Sequence, residues 1–260
     1  MSTTKIEWAE RTWNPITGCS PVSPACDHCY AERMARRLAG RYGYPADEPF
    51  RVTLHEDRLD EPLRWRKPSR VFVCSMGDLF HEDVRPAFLS RVFDRMYRCP
   101  RQTFLLLTKR PERTKKIMTL CYDWYGGPLA NVWAGVTAED QQRADERIPI
   151  LLDTPAAKRF VSCEPLLGTI DLTTLHRGWA SYTHALRGWT TGGEARGEHA
   201  RLDLVIVGCE SGPGARPMQP EWAHDIYRQC KAAGVPFFFK KGTPGFEYDP
   251  ETVATREWPG

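Results

Sequence analysis

Val71-Phe72-Val73-Cys74-Ser75-Met76-Gly77-Asp78 is an unbroken apolar run that ends in small residues and a carboxylate. Pro86 then opens a stretch of helical character through Tyr97, and a second apolar run, Thr103–Leu107, ends in Thr108-Lys109-Arg110 before Pro111 opens another such stretch through Cys121. Continuous apolar runs of this length fit strands covered on both faces, and proline suits the first helical turn, where no backbone N–H is needed. The same alternation extends in both directions. Further strands are expected at Lys5–Trp8, Arg51–Leu54, Val132–Gly135, Arg159–Ser162, Leu204–Val207 and Pro236–Phe239. Further helices are expected at Tyr30–Ala39, Glu139–Leu151 and Glu221–Ala233, the last stopped by Gly234. Strand and helix in turn predict an α/β fold with a parallel sheet, a TIM-like (β/α) barrel that is complete with eight strands or partial with six or seven. The stretch 171–201, rich in Gly, Thr, His and Trp, has no clear period and is expected to be an irregular insertion or lid within a single domain spanning 1–260.

Composition narrows the function classes. The 260 residues hold 36 Lys+Arg against 33 Asp+Glu, a net charge of +3, too weak to imply a polyanionic partner. Hydrophobic residues at 41% and aromatics at 11% exclude a disordered chain. No run approaches the roughly 18 apolar residues of a membrane span. The N-terminal MSTTKIEWAERTWN carries charges where a signal peptide needs an apolar stretch, so a cytoplasmic protein without membrane partners is expected. Nine cysteines form an odd set in a chain long enough to build its own core. That argues against a disulfide framework and for thiols that are reduced or metal-bound.

Polar residues gather where the apolar runs end: His55-Glu56, Ser75 to Asp78, Thr108-Lys109-Arg110, Thr137-Ala138-Glu139, Cys163-Glu164-Pro165, Gly208 to Gly212, and Lys240-Lys241. Loops are polar in any protein, and that accounts for each case singly. A carboxylate after so many strands, beside small residues, fits better with one pocket at the C-terminal edge of a parallel sheet.

The sharpest motif is Gly18-Cys19-Ser20-Pro21-Val22-Ser23-Pro24-Ala25-Cys26-Asp27-His28-Cys29-Tyr30. Cys19, Cys26 and Cys29 stand at C-x6-C-x2-C just before a helix whose N-terminus favours thiolates and an anionic cluster. A structural zinc site needs four protein ligands, whereas a [4Fe–4S] cluster on three thiolates keeps one iron open. Zinc remains an alternative if His28, Cys74, Cys163 or Cys209 supplies a fourth ligand, although His28 lies inside the C-x2-C turn. Cys74, Cys99, Cys121 and Cys230 sit in apolar runs or helices as small core residues.

The segment Trp13-Asn14-Pro15-Ile16-Thr17-Gly18-Cys19 through Cys29-Tyr30-Ala31-Glu32 resembles the phage-associated three-cysteine-motif family of unassigned function, itself similar to radical S-adenosylmethionine (SAM) enzymes including spore photoproduct lyase. The likeness continues through Ser75 to His81, Leu106 to Pro111, Asn131 to Val136, Ser162 to Leu167, Val207 to Gly212, Ala215 to Met218 and Phe237 to Lys240. Its C-x6-C-x2-C departs from the usual radical SAM spacing of C-x3-C-x2-C. The resemblance implies a [4Fe–4S] cluster on Cys19, Cys26 and Cys29, with SAM as cofactor. It makes Asp78 and Ser75 partners of the SAM ammonium, and Lys109 and Arg110 partners of a carboxylate or phosphate. Thr137, Glu139 and Glu164 would contact the ribose or methionine portion, and Glu210 and Lys240, with Arg216, would face substrate. A nucleotide or nucleic-acid substrate and a reductase as electron donor complete this expectation. The basic segment Lys109 to Lys116 and the arginines of Arg33–Arg37 could grip phosphates, and Trp13, Trp133, Trp179 and Trp189 could stack bases. Solvated helix faces and core packing account for the same residues. Two other function classes are a non-catalytic nucleic-acid or protein-binding module stapled by zinc or a structural cluster, and a metal-assisted hydrolase.

Overall fold

The computed structural model describes residues 4, 6–178, 181–192, 197–198 and 200–260. Lys5 and Trp179 lie outside the described residues. Seven strands form one sheet: β1 (Arg11–Trp13), β2 (Arg70–Val73), β3 (Thr103–Thr108), β4 (Val132–Thr137), β5 (Lys158–Cys163), β6 (Leu204–Gly208) and β7 (Phe237–Lys241). Their order across the sheet is their order along the chain. Registers are parallel, with Trp13 opposite Val73, Val71 opposite Phe104, Leu204 opposite Phe160 and Val205 opposite Phe237. A parallel sheet whose strand order never reverses is wound in one sense, as in a (β/α) barrel; a doubly wound sheet reverses at a switch point. The fold is thus a partial TIM-like barrel of seven strands.

Helices α1 (Tyr30–Arg37), α2 (Pro86–Tyr97), α3 (Pro111–Tyr125), α4 (Gln141–Leu152), α5 (Pro220–Ala233) and α6 (Pro250–Ala254) lie along the chain. Proline occupies the first turn of α2, α3 and α5, and α5 ends at Gly234 in the left-handed conformation, as the sequence predicts.

The chain divides into two compact units, Met1–Ala134 with Pro155–Ala157, and Gly135–Thr154 with Lys158–Gly260. In the first, Trp13, Phe80, Phe93 and Phe104 are fully buried, and the Trp13 indole N–H donates to the Arg58 carbonyl at 2.8 Å. Helix α2 buries Phe88, Leu89, Val92, Phe93 and Met96 along one stripe, each burial worth about 1.5–3 kcal/mol. In the second, β5 and β6 are closed off by Phe160, Val161, Val205, Ile206 and Val207.

Three expectations are corrected. The first sheet strand is Arg11–Trp13, not Lys5–Trp8: Trp8 lies in a turn and packs its ring on Phe72, with centroids 4.5 Å apart. Thr53–Leu54 does not join the main sheet but pairs antiparallel with Ile16–Thr17, just before the cysteine loop. Among the described residues of 171–201, the expected irregular insertion gives way to short strands. Leu175–His176, Tyr182–His184, Trp189–Thr191 and Gly197–Glu198 make a four-stranded antiparallel sheet, with strands too short to show alternation in sequence.

The small Ile16–Thr17/Thr53–Leu54 pair is closed by His55, whose Nε2 lies 2.8 Å from the Thr17 hydroxyl. Burial, with the Arg58 charge beside it, pushes His55 down to about 4, against roughly 6.5 in an unfolded chain. Between those values the unfolded chain takes up a proton that the folded chain refuses. Stability therefore falls as pH drops from about 6.5 to about 4, and His55 leaves it unchanged above that window. Urea midpoints measured across this range should show the slope, and His55→Gln should flatten it. An equal slope in the variant would assign the effect elsewhere.

Candidate metal centre

The cysteine loop is fixed to the end of β2 by backbone contacts. Gly18 N–H donates to the Met76 carbonyl at 2.9 Å, Gly18 bridges Gly77, and Cys19 N–H donates to the Phe50 carbonyl. Gly18 has φ +86°, and a Cβ there would lie 2.2 Å from the Arg51 carbonyl oxygen, so only glycine fits. Asn14 braces the turn from the other side: its Oδ1 accepts from the Ser75 hydroxyl at 3.2 Å and from Met76 N–H at 3.0 Å.

Asp78 follows this turn and is 6% exposed. Its carboxylate accepts from the Thr108 hydroxyl at 2.8 Å, from Phe80 N–H at 2.9 Å and from Lys109 N–H at 3.3 Å. It also faces Arg110 Nη1 at 3.3 Å, in an ion pair whose side chains are 8% and 6% exposed. The guanidinium spends its other donors on the loop and its surroundings. Nε reaches Glu82 at 3.1 Å, Nη2 reaches the Ser20 hydroxyl at 2.9 Å and the Ser20 carbonyl at 3.1 Å, and Nη1 donates to Cys19 Sγ at 3.3 Å. Asp83 N–H donates to His81 Nδ1, which leaves His81 Nε2 as the N–H that donates to Ser20 Oγ at 2.8 Å. Burial pushes the Cys19 thiol up to about 11; the Asp78 charge adds to this and Arg110 opposes it. A metal taking this sulfur must therefore displace a proton.

All nine cysteines are free, and Cys19, Cys26 and Cys29 are each partly accessible. Cys26 is close enough to Cys19 to act on its charge. Cys29 is the N-cap of α1 with no side-chain cap, so the first N–H groups of the helix open onto the cysteine loop. The Ser23 hydroxyl, in the same loop, is closed to solvent and has no partner among the described residues. Among the described residues no three metal-ligating side chains converge as for a preformed single-ion site. Three free thiols, a helix N-terminus and a charged N–H on one sulfur nevertheless match the donor chemistry of an iron–sulfur cluster. Cys74, a candidate fourth zinc ligand, is buried; burial raises its thiol, and the charge of Cys19 raises it further.

The second unit holds the remaining candidates as ion pairs at strand ends. Glu139 is wholly buried and accepts from Arg147 Nη1 at 2.9 Å, which also reaches the Thr137 carbonyl at 2.8 Å. Glu139 Oε1 has no donor among the described residues. Glu164 forms an ion pair with Lys240, Nζ to Oε1 2.7 Å, and its Oε2 accepts from the Ser162 hydroxyl at 3.1 Å. It lies against Gly208, where a Cβ would fall 2.6 Å from Glu164 Oε1. Glu210 is held by Arg216 through backbone N–H at 2.8 Å, Nε at 3.1 Å and Nη2 at 2.6 Å. The structure thus joins Cys19, Asp78 and the Lys109 backbone in one network and Glu164 with Lys240 in another. Ser20, Glu82, His81 and Thr108 were not singled out as site residues from the sequence. The positions of Thr108 at a strand end and of Ser20 beside Cys19 are signals that could have found those two.

A family profile described as a protein of unknown function (DUF5131) matches residues 3–255. No curated protein matches the sequence. Two solved structures, both variants of spore photoproduct lyase, are similar. One gives a TM-score of 0.45 at 13% identity, covering 92% of this chain and 57% of the other. The second, with AdoMet and a dinucleoside spore photoproduct bound, gives 0.49 at 12% identity, covering 93% and 79%. The chain spans little more than half the length of the first of these. No helix among the described residues is long and apolar enough to cross a membrane.

Proposed function

The chain belongs to the DUF5131 family, and we propose that it is a radical SAM-type enzyme in which Cys19, Cys26 and Cys29 hold a [4Fe–4S] cluster with one iron left for S-adenosylmethionine. One observation carries this reading: three free, partly accessible thiols share one loop, and the sulfur of Cys19 accepts an N–H from a buried guanidinium. A reduced cluster held by Cys19, Cys26 and Cys29 would supply one-electron chemistry: reductive cleavage of SAM to methionine and a 5′-deoxyadenosyl radical able to abstract hydrogen.

The chain's own residues bind and orient. Asp78, held by Thr108 and the Phe80 and Lys109 N–H groups, fixes Arg110, and Arg110 fixes Ser20 and Cys19. Ser75 and Asn14 set the turn beside them. The Lys109 ammonium is half-buried and makes no ion pair among the described residues, which suits it to an incoming carboxylate or phosphate. Within the second unit, Glu139 and Glu210 are held by Arg147 and Arg216, and Glu164 by Lys240. A nucleobase or nucleic acid is the substrate class we favour: exposed Tyr30 and the arginines of α1 adjoin the cysteine loop in sequence and offer stacking and charge together. A reductase is the electron donor.

Anaerobically reconstituted, dithionite-reduced protein should convert SAM to 5′-deoxyadenosine, resolved by chromatography. A loaded cluster that forms none would reject the enzyme. A colourless protein carrying zinc would favour a stapled binding module.

A further inference from the structure

Arg110 is more firmly held than a residue that merely neutralises Asp78 needs to be. Its guanidinium is 6% exposed and makes contacts with four residues: Asp78, Glu82, Ser20 and Cys19. Three of them fix its orientation, and the fourth is a sulfur. Nη1 lies 3.3 Å from both Cys19 Sγ and Asp78 Oδ2, so one donor group is shared between a carboxylate that orients it and a thiol that receives it. The Asp78 carboxylate is in turn fixed by three neutral donors, the Thr108 hydroxyl and the Phe80 and Lys109 N–H groups.

Resting on the cluster reading above, we propose that Arg110 is a positioning residue that holds the Cys19 sulfur and raises the reduction potential of the cluster bound to it. The electrostatics give the sign. Reduction adds one negative charge to the cluster and its thiolates. A cation donating an N–H to one of those sulfurs stabilises the reduced form more than the oxidised form. Asp78 softens the effect without cancelling it, because three neutral donors already stabilise its charge, whereas Nη1 contacts the sulfur directly at 3.3 Å. Glu82, 65% exposed, is screened by water and serves as an anchor. The positive charge thereby favours uptake of the electron on which SAM cleavage depends.

The test compares wild type with Arg110→Met and Arg110→Lys, each reconstituted anaerobically and titrated by electron paramagnetic resonance against a ladder of redox mediators. Circular dichroism and iron and sulfide content are recorded on the same samples. With equal cluster content, Arg110→Met should lower the equilibrium constant for one-electron reduction by about tenfold, a shift of about 59 mV to lower potential. Arg110→Lys, which keeps the charge but not the fork, should recover part of it. If Arg110→Met does not fold, the lysine variant alone should still show a lower potential than wild type. Unchanged potentials in folded, fully loaded variants would overturn the role of Arg110 and leave the cluster reading standing. Wild type that takes up no cluster would remove that reading itself, a separate result visible before any titration.

Discussion

Cys26→Ala is expected to lose its iron and its turnover together. Iron should fall from about four per chain to background, and 5′-deoxyadenosine formation should drop below detection. Each thiolate of a three-cysteine site holds one iron, so removing one leaves two irons of the cubane without protein ligands. No other thiol is well placed to replace it: burial raises the thiol of Cys74, which lies in the core, and Cys121 sits on α3 outside the loop. Because Cys26 is partly exposed in a short loop, its loss should leave the thermal midpoint nearly unchanged, which separates loss of cluster from loss of fold. Cys121→Ala, with its half-buried thiol, should keep full iron content. Turnover persisting in Cys26→Ala would show that the cysteine assignment is wrong.

Glu139→Ala is expected to cost about 3–5 kcal/mol of stability, because it leaves the Arg147 guanidinium buried without its counter-charge. The two side chains are 0% and 5% exposed, so water cannot take the place of the carboxylate. For a chain of this size the thermal midpoint should fall by about 6–20 °C. Removing both partners, as Glu139→Ala with Arg147→Met, should recover much of the loss, since the unpaired charge is the larger part of it. Calorimetry on the cluster-free chain checks this independently of SAM. A fall of less than about 2 °C would mean that Glu139 is dispensable to the fold and exists for a ligand alone.

These two residues also show what the sequence could and could not convey. Six of the seven sheet strands were legible, four of them because VFV, FLLL, LVIV and FFF are short apolar runs that fit strands covered on both faces. The first strand, Arg11-Thr12-Trp13, was not, because it has three residues and one apolar side chain. Its identity depends on Trp13 packing near Phe104, 91 positions away along the chain, with ring centroids 5.8 Å apart. The strands of the 171–201 stretch are two or three residues long, below the length at which alternation can be read. At the site, the cysteine loop announced itself by spacing and by the helix that follows. The Asp78–Arg110–Cys19 network did not, because Arg110 reaches Cys19 across a separation of 91 residues and Asp78 across 32. Such long-range pairing leaves no local pattern. Glu139 was visible as a strand-end carboxylate, but its commitment to Arg147 emerged only once α4 was placed.

The most direct measurement is iron, acid-labile sulfide and zinc content with the Mössbauer spectrum of the wild-type chain prepared without oxygen. A cluster on Cys19, Cys26 and Cys29 predicts about four iron and four sulfide per chain, negligible zinc, and a quadrupole doublet in which one iron site changes when S-adenosylmethionine is added. One zinc per chain, with iron and sulfide absent after reconstitution, would contradict it.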